Sequence, residues 1–175
     1  IKVRRGMDLP IAGTPEQMIY DGPAVSQVAL IGSDYHGMKP TMAVRQGDVV
    51  KKGQLLFTDK KNDSAKYVAP APGTVAAINR GERRVFQSLV IDVEGHESKT
   101  FAAYKSEQLQ ELDRQLVTDQ LVESGQWVAF RTRPFSKVPS AGSVAASIFV
   151  TAMDTNPLAA DPTVIIGQRE GDFAN

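Results

Sequence analysis

There is no cysteine among the 175 residues. Disulfides, thiol catalysis, Cys-ligated zinc and a Cys-held iron–sulfur cluster are excluded together. Imidazole is almost as scarce. Only His36 and His96 are present, each beside a glycine in a turn-like stretch, and both read as exposed turn residues rather than metal ligands. Neither sign of charge is in excess, since Lys+Arg and Asp+Glu both number 20. A zero balance gives no general attraction to nucleic acid or anionic lipid, so no nucleic-acid partner is expected. No apolar run approaches the ~20 residues of a bilayer-crossing helix. No charged-then-apolar leader opens the chain. These absences predict a soluble segment on the cytoplasmic side that is still able to dock on a membrane complex.

What is present divides into three zones. Residues 1–37 carry short β-type pieces, Ile1-Lys2-Val3-Arg4 and Val25-Ser26-Gln27-Val28-Ala29-Leu30-Ile31, around a stretch punctuated by Gly and Pro from Gly6 to Pro23. This reads as an extended N-terminal segment. Residues 38–100 are dense in short strands, predicted at 41–44, 55–58, 67–69, 74–78 and 88–93. Turns are expected at Gln46-Gly47-Asp48, Lys52-Gly53-Gln54, Asn62-Asp63-Ser64, Ala71-Pro72-Gly73 and Arg80-Gly81-Glu82. Strands at such spacing mean a small barrel or sandwich. A faint echo, Pro40 with Val44, Gly47 and Gly53 against Pro70 with Val75, Ile78 and Gly81, suggests a pseudo-symmetric pair of sheets.

Residues 101–175 change period. Leu109, Leu112, Leu116, Leu121 and Val122 recur at helical intervals, with a start expected at Thr118-Asp119 and a stop at Gly125. Ser147-Ile148-Phe149-Val150-Thr151 reads as a strand buried in a parallel sheet, and Val164-Ile165-Ile166-Gly167 as a further strand. Helix, loop and strand in this order argue for an α/β domain, of which only the beginning fits here. The chain is therefore expected to be an N-terminal piece of something longer.

Two motifs sharpen the fold. Gly47-Asp48-Val49-Val50-Lys51-Lys52-Gly53-Gln54-Leu55-Leu56 is followed by Ala69-Pro70-Ala71-Pro72-Gly73-Thr74-Val75-Ala76-Ala77-Ile78. The pair resembles the lipoyl/biotinyl family in type and order, which implies a barrel-sandwich hybrid. Carrier members of that family hold lipoate or biotin on a hairpin-tip lysine. Asp59-Lys60-Lys61 sits near that place, but further upstream of Ala69-Pro70 than in carriers and without the Met-Lys-Met context. Lys60 and Lys61 are read as exposed loop lysines, with no covalently bound cofactor.

A wider resemblance covers nearly the whole chain. Ile1-Lys2-Val3-Arg4-Arg5-Gly6, Leu9-Pro10-Ile11-Ala12-Gly13 and Ala77-Ile78-Asn79-Arg80-Gly81 are similar to the NqrA component of bacterial Na+-translocating NADH:quinone reductases. So are Arg131-Thr132-Arg133-Pro134-Phe135-Ser136-Lys137-Val138-Pro139 and Phe149-Val150-Thr151-Ala152-Met153-Asp154-Thr155-Asn156-Pro157. The resemblance implies a peripheral subunit on the cytoplasmic face of the inner membrane, partnered by the other subunits of a sodium-pumping complex and associated with ubiquinone. It implies activity only within the complex, with the isolated chain inactive. The family is distantly similar to the flavin-bearing subunit of respiratory complex I and to the C subunit of the Rnf complex. Where the flavin-bearing relative has a Gly-rich loop, this chain reads Gly125-Gln126-Trp127-Val128-Ala129-Phe130-Arg131. Without those glycines the backbone cannot approach a phosphate closely, so FMN is not expected, nor an iron–sulfur centre.

Candidate site residues follow from residue type. Arg131 and Arg133 stand among Trp127, Phe130 and Phe135, a grouping of cations and aromatic faces suited to a quinone ring or to a partner carboxylate. The competing reading is an interdomain latch, with each Arg paired to a local acid. Asp154 and Asn156 follow the strand expected at 147–151, where ligands of α/β sheets often bind, and they equally suit a turn before Pro157. No catalytic or metal-ligating residue is assigned. Two other functions remain open: a lipoyl- or biotin-type carrier, or Rnf-like electron-transfer subunit; and an adaptor that binds only proteins.

Overall fold

The computed structural model describes residues 11–151 and 156–174. The chain forms two compact units, residues 24–144 and residues 11–23 with 145–174. The larger unit holds seven strands: β1 Gln27–Ile31, β2 Pro40–Met42, β3 Val49–Val50, β4 Leu55–Asp59, β5 Asn62–Val68, β6 Gly73–Arg80 and β7 Phe86–Val93. They make two antiparallel sheets, ordered β1-β7-β6-β3 and β2-β4-β5.

The two sequence motifs fold against each other. In the first, the Asp48 carboxylate accepts the Arg45 N–H at 2.8 Å and closes the turn. The Gly47 N–H then donates to the Val75 carbonyl, and the Val75 N–H to the Asp48 carbonyl. One motif thus supplies each backbone partner the other lacks, as buried amides require. Gly73 shows why its position admits no side chain: a Cβ there would lie 1.9 Å from the Asp92 carbonyl oxygen. Between the sheets, Leu56, Phe57, Tyr67, Val75, Leu89 and Ile91 are fully buried. Alternation along each strand puts these residues on the inner face. The Phe57 and Tyr67 rings stack at 4.6 Å, and Phe86 meets Phe57 edge-on at 5.1 Å.

Helix α1, Arg114–Glu123, packs on β5. It begins four residues before the expected Thr118-Asp119 start. The Asp113 side chain caps it by accepting the Gln115 N–H at 2.7 Å, and Thr118 is buried in its middle. The expected stop is in place. Gly125 adopts left-handed φ 75°, and a Cβ would meet Val68 Cγ2 at 2.7 Å.

Three further expectations are corrected. Asn62-Asp63-Ser64 is not a turn but the start of β5; the turn is Lys60-Lys61, where Asp59 Oδ1 accepts the N–H of both Lys61 and Lys39. In the smaller unit, Val164-Ile165-Ile166 is not a strand. It lies in helix α2, Thr163–Ile166, started by Pro162 at φ −61° and by the Asp161 carboxylate accepting the Thr163 N–H. Ser147-Ile148-Phe149-Val150-Thr151 forms no strand, and Phe149 is 89% exposed, because among the described residues no strand lies beside it to bury its backbone. A short helix α3, Glu170–Ala174, follows α2. The strand expected at 1–4 and the first half of the turn at 154–158 lie outside the described residues; Ala159 N–H to Asn156 carbonyl closes the remainder at 3.2 Å.

Candidate functional site

The loop carrying the candidate arginines is built outward from β5. Beyond Gly125 a single 3-10 turn, Gln126–Ala129, turns the chain across that strand. The Trp127 indole N–H donates to the Pro139 carbonyl at 2.9 Å, closing residues 127–139 into one loop. Asn62 Nδ2 donates to the Val138 and Pro139 carbonyls at 3.1 Å each, and the Ala141 N–H donates to Ser64 Oγ at 3.0 Å. Inside, the Thr132 N–H donates to the Lys137 carbonyl at 2.8 Å and the Ser136 N–H to the Thr132 carbonyl. Residues 132–137 therefore project as a closed lobe on a fixed base.

Arg131 sits in that base. Its Nη1 donates to the carbonyls of Val128 and Phe130, and its guanidinium lies over the Tyr35 ring, 5.6 Å from the centroid. Tyr35 meets Tyr67 edge-on at 4.5 Å, so an aromatic file of Arg131, Tyr35, Tyr67, Phe57 and Phe86 runs from the surface into the core. Burial, with the charge of Asp59 adding to it, pushes the Tyr67 phenol up to about 12. Burial likewise raises Tyr35, with Arg131 working against it. Both phenols stay neutral donors across physiological pH. Arg131, Tyr35 and Tyr67 border a cleft of about 590 Å³ that also takes in Lys61, Ser136 and Lys137.

The other candidates separate. Trp127 and Phe130 pack on each other edge-on at 5.1 Å, both half-buried. Phe135 is 69% exposed on the lobe, with the Lys137 ammonium 6.0 Å from its ring centre. Arg133 is exposed beside it and joined to Pro134 by a cis peptide. The five residues therefore do not converge on one ligand. Asn156 belongs to the smaller unit, and Asp154 lies outside the described residues. Among the described residues neither arginine pairs with a carboxylate; the three ion pairs belong to Lys66, Lys99 and Arg169.

Sequence reasoning missed three contributors. Tyr35 and Asn62 hold the loop from distant strands, and no local signal announces either. Glu123, at the end of α1, bridges Lys66 at 2.6 Å and Lys99 at 2.5 Å and ties the helix to β5 beneath the loop. Those two ammonium groups hold its carboxyl down at about 2. Lys60 and Lys61 form the tip of the β4–β5 hairpin, and Lys61 Nζ donates to the Gly37 carbonyl at 3.1 Å. His36 and His96 are exposed in turns.

Comparison with known proteins gives two family matches. Residues 1–94 match the NqrA N-terminal barrel-sandwich hybrid domain, and residues 112–175 match the NqrA second alpha/beta domain. The chain is 63% identical over 175 residues to the A-type subunit (NqrA) of the Na(+)-translocating NADH-quinone reductase of Teredinibacter turnerae. It is 63% identical over 174 residues to that of Saccharophagus degradans, and 61% identical over 175 to that of Haemophilus influenzae. These alignments cover 99–100% of the chain and 39% of each relative, so it spans about two fifths of their length.

Proposed function

Because the chain belongs to the family of the NqrA N-terminal barrel-sandwich hybrid domain, we propose that it serves within the NqrA component of a membrane-bound Na+-translocating NADH:quinone reductase. In this reading the complex passes electrons from NADH to ubiquinone and exports sodium. The chain is peripheral, sits at the cytoplasmic face of the inner membrane, and contributes subunit docking and quinone access without a flavin, iron–sulfur or covalent cofactor of its own. Identity of about 60% along the whole chain to proteins named as that component supports the reading. The proposal keeps an N-terminal segment 1–37, a barrel module 38–100 and the start of an α/β domain at 101–175. β1 of the first segment pairs into the sheet of the second.

The observation that carries the site proposal is the lobe itself. It presents Arg133, Phe135 and Lys137 to solvent with no carboxylate paired to them among the described residues. Exposed aromatic area beside unpaired guanidinium suits a contact with a partner's acidic groups. Docking is favoured over direct quinone binding, because Trp127 and Phe130 face each other and the Trp127 N–H is already used on Pro139. Arg131 anchors the lobe, and Arg133 with Phe135 makes the contact. Asp154 and Asn156 stay with the proposal as a second contact region.

The test is Arg133→Ala, alone and with Arg131→Ala, in the full complex. Loss of an Arg contact worth about 2 kcal/mol strips the subunit during purification, which supports docking. Full assembly with a raised apparent KM for ubiquinone moves the lobe's role to the quinone. Normal assembly and turnover contradict both roles.

A further inference from the structure

A second basic surface lies away from the lobe. The tip of the β6–β7 hairpin and the segment 31–40 enclose a cleft of about 850 Å³. Lys39, Lys61, Arg80, Arg83 and Arg84 line it together with His36, and no Asp or Glu does. The chain as a whole carries 20 cations and 20 acids, so this is charge set apart rather than general basicity. None of the five cations is in an ion pair among the described residues. Arg80 and Lys61 donate only to carbonyls, those of Arg84 and Gly37.

Like charges gathered this closely repel one another and gain from an anion that neutralises them. The backbone points the same way. Arg83 and Arg84 both adopt left-handed conformations, φ 52° and 60°, which Gly or Asn would hold with less strain. The hairpin carries guanidinium groups at positions where local structure prefers neither. The cleft is not purely polar either. Its wall includes Val85, 63% exposed, and Ile31, 47% exposed, above the buried Phe86 ring.

We propose that this cleft docks an acidic, extended segment of a partner protein, with Asp or Glu side chains on the arginines and lysines and an apolar side chain on Ile31 and Val85. A recess with an apolar wall fits a peptide, whereas a flat bilayer surface reaches only its rim. The partner's identity as another member of the complex rests on the function proposed above; the binding site does not.

The experiment uses the full-length protein and a fluorescent peptide of alternating Glu and Leu, read by anisotropy at low salt and at ~0.15 M salt. Arg83→Asn with Arg84→Asn removes both charges while keeping residues that tolerate left-handed backbone. The control, Lys51→Asn with Lys52→Asn, removes two exposed cations elsewhere on the barrel. The proposal expects saturable binding that persists at ~0.15 M salt, weakens about tenfold or more in the arginine variant, stays within about twofold in the control, and returns with Arg83→Lys and Arg84→Lys. Thermal melting of each variant establishes that the fold is kept. Equal weakening by the control pair, or no weakening by the arginine pair, overturns it. Binding to phosphatidylglycerol vesicles without binding to the peptide overturns it in favour of a membrane contact. Because the readout needs no assembled complex, its failure leaves the test of the Arg131 and Arg133 lobe untouched.

Discussion

Glu123 receives two ammonium groups from segments far away in sequence, 57 and 24 residues off, and holds α1 on the barrel through them. Its carboxyl is depressed from an ordinary 4.5 to about 2. A depressed carboxyl contributes stability that is fully present above 4.5 and is lost as pH falls through about 2. Since the side chain is half exposed, solvent screens the pair and the effect is modest. Melting temperatures of the wild type and of Glu123→Gln, measured from pH 7 down to pH 2.5, should differ at neutral pH and converge through the acid range. A constant gap would mean that the bridge does not hold the helix. Sequence reasoning could not find this residue, because nothing local distinguishes it from any exposed glutamate. The same holds for Tyr35 beneath Arg131. Gly47-Asp48 and Gly125 were legible for the opposite reason: their work is done within a few residues, by a turn and by a left-handed helix end.

Among elements, the barrel strands were readable because inward and outward residues alternate and Gly or Asp turns separate them. The hairpin tip moved from 62–64 to Lys60-Lys61 because Asp59 caps the turn and frees Asn62 for the loop. Val164-Ile165-Ile166 was unreadable, since three apolar residues have no period to favour strand over helix. The segment 147–151 has only its β-branched composition to suggest a strand, which says nothing about a neighbouring strand to pair with. The lobe at 132–137 depends on β5 through Asn62, and that dependence is measurable. Asn62→Ala removes two hydrogen bonds to the Val138 and Pro139 carbonyls, a loss of about 1 kcal/mol. Limited trypsin digestion should then cut after Lys137 several times faster than in wild type, while the barrel core stays intact. Unchanged cleavage would place the anchoring of the lobe in Trp127 instead.

For the whole molecule, balanced charge conceals its arrangement. Two surfaces, the lobe and the β6–β7 cleft, carry cations without paired acids among the described residues, and the neutral total gave no hint of either. Among the described residues no helix is long and apolar enough to cross a membrane. Attachment to a membrane complex then falls to surfaces of this kind, and the proposed function stands or falls on that attachment. The most direct measurement is affinity purification of the tagged full-length protein from detergent-solubilised membranes of its native host. It is followed by an assay of sodium-stimulated NADH:ubiquinone reduction and by intact mass of the tagged protein. The expected result is co-purification with membrane subunits, activity in the eluate, and a mass equal to the polypeptide alone. Elution as a single protein without activity, or a lipoyl or biotinyl mass on Lys60 or Lys61, would contradict it.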